Sequence, residues 1–289
     1  MRIGNPAKRF SYLFLCVFPL LVAVAVGGRN LRIPGVYQSL GGVLFTAITI
    51  AAWHLGARVI RTGVEGSRRL AVAGGLLVAP WAVISLLWVG LGTPWDSTPG
   101  ENEMRYLVLL FDSIAVTVAF VVLKEVLGDA GERFYSTLGF ASGLLGGVAY
   151  LIWLSFEVGV FATRVGSGQV SPAILAMSDV LDILLFVACV LTYLATAAFA
   201  ASCGRARWLG RGAARAYVIV SFVALLFIVM RGLSFPDPTA SSTPWYMRPG
   251  FIVGVPAIPW LMPFLLGVVL LRRVGDGNHD DGSLTKPGS

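Results

Sequence analysis

Long apolar stretches separated by short polar segments dominate the pattern of hydrophobic and polar positions along this chain. A helix that crosses a membrane needs about 20 mostly apolar residues, and eight stretches have about this length. They cover residues 9–28, 36–57, 70–92, 105–127, 136–161, 173–202, 213–234 and 250–271. The pattern therefore predicts an all-α polytopic membrane protein, in which residues 1–274 form a bundle of eight transmembrane helices surrounded by lipid.

The two ends of the chain carry different signals. Lys8 and Arg9 precede the first apolar stretch, as basic residues precede the apolar core of a signal peptide. This stretch is long for such a core and no clean small-x-small cleavage site follows it, so we interpret it as a helix. Cleavage would leave seven spans in the same orientation. Residues 275–289 are polar and rich in Gly and Asp, which predicts a disordered cytoplasmic tail.

The charge content agrees with a membrane protein and excludes a nucleic-acid partner. Only 13% of the residues are charged, about half of what a soluble domain carries. The formal net charge of +7 comes from basic residues in the short loops between the spans, which is where the positive-inside rule concentrates them.

The distribution of the basic residues also predicts the orientation. Of the 22 Lys and Arg residues, 16 lie on the side that both termini share and 6 lie on the opposite side. We therefore expect both termini in the cytoplasm and the protein in a bacterial-type inner (cytoplasmic) membrane.

Five charged side chains lie within or near the ends of the predicted spans, and all fall in the outer half of the membrane. They are Asp112, Glu157, Asp179, Asp182 and Arg231. A charge in hydrocarbon costs about 3 kcal/mol or more unless it is paired or hydrated. The cluster predicts an outward-facing acidic pocket for a cation, a proton or an amine-bearing solute, in which Arg231 balances charge. An alternative for Glu157 and Arg231 is that they extend to the interface.

A narrow polar stripe follows the sixth predicted helix at helical spacing. Beside Asp182, Cys189 and Cys203, it contains Ser178, Tyr193 and Thr196. One hypothesis is that these three side chains line a path for a solute or proton. The other is that their hydroxyl groups bond to neighbouring helices.

Two further patterns concern helix packing. Gly139, Gly143 and Gly147 share one face of the fifth predicted helix, and small residues allow a neighbouring helix to approach closely. We favour packing inside one bundle over a homo-oligomer interface. Pro256, Pro259 and Pro263 fall in the last span, where they predict either a discontinuous helix at a binding site or a fixed kink.

The motif T-P-W-x-x-x-P-G occurs twice, at residues 93–100 and 243–250. The copies follow the third and the seventh span, which is the same position in two four-span units. An internal 4+4 duplication would explain this. The preference of Trp for the membrane interface and of Pro and Gly for turns also explains it. We favour this second explanation, because the flanking spans show little further similarity.

Several kinds of chemistry lack the residues they need. The only histidines are His54 and His279, the three cysteines form no C-x-x-C pair, and no P-loop occurs. We therefore expect no haem, no metal centre and no built-in ATPase. The D-x-x-D at Asp179 and Asp182 resembles a magnesium-binding motif of membrane prenyltransferases, but those enzymes use two acidic motifs and only one is present here.

Three functional hypotheses follow from these patterns. We favour a small carrier or ligand-binding membrane protein without a cofactor or enzymatic activity. A non-catalytic accessory or sensor protein, acting through partner contacts, is the first alternative. An intramembrane enzyme acting on a lipid-linked diphosphate is the second.

Overall fold

The computed structural model describes residues 6–26, 35–92, 97–231 and 257–277, and at 18–26, 179 and 231 it describes the backbone alone. The part of the chain so described is helical and contains no strand. The helices are α1 (Pro6–Val26), α2 (Val36–Ala52), α3 (Val59–Thr62), α4 (Glu65–Leu91), α5 (Pro99–Asp129), α6 (Phe134–Ser167), α7 (Pro172–Arg205), α8 (Arg211–Arg231) and α9 (Leu261–Gly277).

Seven helical segments among the described residues are long and apolar enough to cross a membrane, which is compatible with a multi-pass membrane protein. They correspond to the second through eighth predicted spans, with α2 extended to Ala57 and α9 extended back to Ile258. Helix α1 covers most of the first predicted span but is not one of the seven. The all-helical class is therefore confirmed, while the eighth span and the side on which the termini lie stay predictions.

Capping residues explain where two of the long helices begin. Thr98 accepts a hydrogen bond from the backbone N–H of Glu101, and the Glu101 carboxylate accepts one from the backbone N–H of Thr98. This capping box satisfies two backbone donors that a helix start leaves without partners. Ser171 caps α7 in a similar way, and each cap precedes a proline at the first helical position, where its fixed φ is favourable.

Consecutive helices pack side by side through most of the bundle. Helix α2 packs on α4, and α4, α5, α6, α7 and α8 follow one another as antiparallel neighbours. Helix α9 then returns to α4, and both α9 and the 3₁₀ turn before it, Ile258–Trp260, contact α7. The last helix of the bundle is therefore central, and its span is also the most buried of the seven.

Glycines allow α9 to approach its neighbours at backbone distance. A Cβ atom at Gly56 would overlap the carbonyl group of Leu271, and one at Gly275 would overlap the carbonyl group of Leu55. A Cβ at Gly267 would lie 2.8 Å from a backbone oxygen of α4. Any larger residue at these positions would force the helices apart.

The second predicted span is not a uniform α-helix. Its last turn, Trp53–Ala57, is a π-helix, and Gly56 has φ 173° and ψ −11°, outside the helical region. This irregular turn lies where Gly56 meets α9, as π-turns often accompany a local functional or packing demand.

The prolines of the last span stand at the start of α9. Pro259 belongs to a single 3₁₀ turn, Ile258–Trp260, and Pro263 lies in the first turn of α9; both are buried. Backbone N–H groups in a first helical turn have no partner within the helix, so proline costs little there. Pro256 lies outside the described residues, as do 93–96, 243–250 and 278–289, which hold most of the repeated motif and of the predicted tail.

The helix connections define two ends of the bundle. At one, here called the terminal end, α1 begins and α9 ends, and the Lys8 ammonium donates to the Gly275 carbonyl at 2.5 Å. The α5–α6 and α7–α8 turns also lie there, joined by an ion pair of 2.7 Å between Arg205 and Glu132. At the opposite end, α5 and α7 begin and α6 ends.

Candidate functional site

Two hydrogen bonds near the opposite end join α6 to α7 through carboxylates. The Ser178 hydroxyl donates to Oε1 of Glu157 at 2.5 Å, and the Trp153 indole N–H donates to Oδ1 of Asp182 at 2.8 Å. The two residues on each helix are four positions apart and so share a face. The structure thus brings together Glu157, Ser178 and Asp182, and adds Trp153. We call these four residues the acidic cluster.

An aromatic residue of α5 covers one side of the acidic cluster. The Tyr106 ring lies 5.6 Å from the Trp153 ring in an edge-on arrangement and 5.1 Å from the Phe161 ring in a stacked one. Tyr106 also lies within electrostatic reach of Glu157 and Asp182. Three consecutive helices, α5, α6 and α7, therefore surround the two carboxylates.

Asp112 lies on α5, about 9 Å further along the helix axis than Tyr106 at 1.5 Å per residue. It is 6% exposed, and its Oδ2 atom has no hydrogen-bond partner among the residues that the structure describes. The hydroxyl of the adjacent Ser113, 1% exposed, is likewise without a described partner. Burying a carboxylate oxygen without a hydrogen bond is costly, so this position has the capacity to accept a donor or cation.

The side chains of the remaining two predicted site residues lie outside the described part of the chain. Asp179 follows Ser178 within α7, and Arg231 is the last residue of α8. The backbone of both residues is helical, as the predicted spans require.

The polar stripe of the sixth predicted helix faces the interior of the bundle. The Tyr150 hydroxyl of α6 and the Cys189 thiol of α7 lie 3.5 Å apart. Tyr193 is 2% exposed, and the Thr196 hydroxyl donates to the backbone carbonyl of Thr192 at 2.9 Å. The Tyr150–Cys189 contact and the acidic cluster therefore place polar groups along the α6–α7 interface, whereas the Thr196 hydroxyl bonds within α7.

The three glycines of the predicted packing face contact helices of the same chain. A Cβ at Gly139 would lie 2.9 Å from the Phe199 ring of α7. Cβ atoms at Gly143 and Gly147 would overlap Phe120 and Thr117 of α5. This face therefore packs inside the bundle.

Sequence reasoning missed the buried guanidinium of Arg105, which it counted only as a basic residue of the outer side. Arg105 is 4% exposed and donates to Oδ1 of Asn102 at 2.8 Å, to the Gly92 carbonyl at 2.7 Å and to the Ser97 hydroxyl at 3.1 Å. It therefore fixes the α4–α5 connection at the opposite end. The one signal in the sequence was its spacing of three residues from Asn102, which places the two side chains on the same face of a helix.

A second polar region lies at the terminal end. A cavity of about 690 Å³ is lined there by residues of α1, α4, α8, α9 and the α7–α8 turn. Its polar and aromatic lining includes Tyr12, Ser67, Trp208, Tyr217, Arg272 and Arg273.

Within the described residues, no group of three or more His, Cys, Asp or Glu side chains has an arrangement that could hold a metal ion. No protein-family model, no curated protein and no solved structure matches the chain. Its function is therefore inferred from its own side chains.

Proposed function

We propose that the protein is a small membrane carrier or ligand-binding protein that accepts a cation, a proton or an amine-bearing solute at Asp112 and the acidic cluster. The observation that carries the proposal is the buried Asp112 oxygen without a described hydrogen-bond partner. A buried carboxylate is costly unless something binds it, and a cationic or protonic ligand has the complementary charge.

The acidic cluster supports the same chemistry because it holds two oriented carboxylates. Ser178 and Trp153 orient Glu157 and Asp182 through hydrogen bonds from neutral groups. Carboxylates positioned in this way remain suitable for attracting a cation.

The other residues of the proposed site complete the mechanism. Asp179 adds a carboxylate, Arg231 balances charge, and Ser178, Tyr193 and Thr196 line the route along the α6–α7 interface. In this proposal the last span bends at its proline-containing start, before the part of α9 that packs closely on α4. The chain crosses a bacterial-type cytoplasmic membrane eight times in this proposal, with both termini inside, so that the site opens outward.

One observation favours a second candidate, a non-catalytic accessory or sensor protein. Glu157, Asp182 and Cys189 all find partners across the α6–α7 interface of the same chain. Interhelical hydrogen bonds of this kind are sufficient to hold two helices together without any solute.

Flux through liposomes distinguishes the two candidates. The purified protein is reconstituted with a pH-sensitive dye inside, and proton, sodium and methylammonium fluxes are measured for wild type, Asp112→Asn and Asp182→Asn. We expect flux of at least one of these cations in wild type and its loss in both variants, because an amide cannot bind a cation or carry a proton as a carboxylate does.

The matched control is Asp129→Asn, an acid-to-amide change at the terminal end, where Asp129 is exposed; its flux should equal that of wild type. Unchanged flux in Asp112→Asn and Asp182→Asn would reject the proposed roles of these residues. Wild-type liposomes without flux of any of the three ions would favour the accessory protein.

A further inference from the structure

The cavity at the terminal end has a positively charged mouth. Arg272 and Arg273 line it, and so does Asp276. The Asp276 carboxylate already lies 3.7 Å from the Lys8 ammonium and 3.8 Å from the Arg272 guanidinium. Lys8 and Arg272 therefore share this carboxylate, and Arg273 forms no ion pair with a described residue. These three cationic groups exceed the one carboxylate by two charges.

Aromatic rings fix the directions of both guanidinium groups. Arg272 lies over the Tyr12 ring at 4.4 Å and Arg273 lies over the Trp208 ring at 5.5 Å. Such cation–π contacts restrict the long side chains while their edges keep N–H donors. Arg272 is therefore directed toward α1 and Arg273 toward the α7–α8 turn, and both side chains line the same cavity.

The size and the aromatic lining of the cavity suit an anionic group at the membrane surface. A volume of about 690 Å³ falls within the range of small-ligand sites. Tyr and Trp side chains concentrate at the level of lipid headgroups, and Tyr12, Trp208 and Tyr217 all line this cavity.

We propose that this cavity binds a phosphate group, with Arg272 and Arg273 as its donors. Guanidinium groups match phosphate oxygens in geometry as well as in charge. Basic pockets between transmembrane helices are suited to phospholipid headgroups, and a soluble phosphate compound presents the same chemistry. This site lies at the other end of the bundle from the acidic cluster, so the proposal does not depend on the function proposed above.

Ligand-dependent unfolding in micelles tests the proposal. The midpoint of thermal unfolding is measured for the full chain against increasing short-chain phosphatidylglycerol, short-chain phosphatidylcholine or inorganic phosphate at constant ionic strength. We expect phosphatidylglycerol to raise the midpoint more than phosphatidylcholine does. A basic residue near an anionic membrane surface contributes a factor of about five, so R272Q/R273Q should bind phosphatidylglycerol about thirtyfold more weakly.

The single variants R272Q and R273Q keep the test decisive if the double variant fails to fold, and each should bind about fivefold more weakly. Arg133→Gln is the matched control, since Arg133 is an exposed arginine at the terminal end that does not line the cavity. It should bind as wild type does.

The inorganic phosphate arm identifies the source of the ligand. Competition between inorganic phosphate and phosphatidylglycerol would support a soluble phosphate compound, and specific lipid binding without competition would support a headgroup. Equal binding of the two lipids by wild type, together with no effect of inorganic phosphate, would overturn the proposal. Undiminished phosphatidylglycerol binding by folded arginine variants would also overturn it.

Discussion

Trp153 stabilises the Asp182 carboxylate inside the bundle through a hydrogen bond from a neutral group. The Trp153 side chain is 3% exposed, and its indole N–H group donates a hydrogen bond to Asp182. A tryptophan buried this deeply needs a partner for its nitrogen, and Asp182 needs a donor. Each residue therefore makes the burial of the other less costly.

Trp153→Phe should destabilise the protein by about 1 kcal/mol, the magnitude found for hydrogen bonds between membrane helices. The phenyl ring keeps most of the packing against Tyr106, so the main loss is the N–H donor. The measurement is the free energy of unfolding in mixed micelles. Trp53→Phe is the control, because Trp53 is 41% exposed, and equal losses in the two variants would contradict this role of Trp153.

Single residues also show what the sequence could and could not predict. The similar depths of Asp112, Glu157 and Asp182 are predicted from the rise per residue and the span limits. The helices contain those spans, although α5 begins six residues earlier and α6 ends six residues later than predicted. The partners of these carboxylates were not predictable, because Trp153 and Ser178 become partners only once α6 and α7 are known to be neighbours. Arg105 was missed for the same reason, since two of its acceptors belong to a connection between helices.

At the scale of an element, the regularly spaced glycines of α6 determine how closely its neighbours pack. Gly139 and Gly143 face the aromatic rings of Phe199 and Phe120, which stack on each other at 5.0 Å between centroids. The glycines therefore make room for a pair of rings that links α5 to α7. The pattern in the sequence predicted close packing, and it could not identify which side chains would fill the space.

Gly143→Ala should destabilise the bundle by about 1–3 kcal/mol, as expected for overpacking. The added methyl group would overlap the Phe120 ring, and this ring cannot move away because it is buried against Phe199. Thermal unfolding of the purified variants measures the effect. Gly159→Ala, in the same helix but in open space, should change stability by less than about 1 kcal/mol. Similar destabilisation by both substitutions would indicate a general effect of alanine in α6 rather than overlap with Phe120.

Other features of the elements were beyond the sequence. Hydropathy predicted one uniform span over 36–57, yet the chain turns into a π-helix at Trp53–Ala57. Hydropathy averages cannot detect a change from α-helical to π-helical hydrogen bonding. Here that change occurs where α9 packs closely on the turn. The capping residues and prolines that set the starts of α5 and α7 act locally. The spans predicted from hydropathy begin six residues after Pro99 in α5 and one residue after Pro172 in α7.

The orientation of the whole molecule is open to a direct test. Asp129→Cys and Gln169→Cys place a thiol in the turns at the two ends of α6. With 16 of 22 basic residues on the side of the terminal end, we expect the cysteine at 169 to react with a membrane-impermeant maleimide in intact cells and the one at 129 to react only after permeabilisation. The wild-type protein gives the background, since Cys16 is only partly exposed and Cys189 and Cys203 are buried. The reverse pattern would invert the predicted topology and turn the acidic cluster toward the cytoplasm.

Helix order is the property of the whole molecule that the sequence could not supply. Short connections favour neighbouring positions for consecutive helices, and α4 to α8 follow that rule. The return of α9 to α4 breaks it, and glycines dispersed over the π-turn, α4 and α9 make that return close. Their spacing within any one helix is unremarkable, so the contact exists only in the assembled fold.

The central position of α9 has a consequence for biosynthesis. Ribosomes make this helix after the other eight. The surface of α4 that α9 covers therefore has no helix packed on it until α9 is inserted. The backbone of Leu55 and Gly74 meets its glycine partners only when α9 arrives. Assembly of this protein is thus completed from its C-terminal side, and a translation error or premature stop late in the message would leave a bundle that is inserted, largely helical and open along its middle.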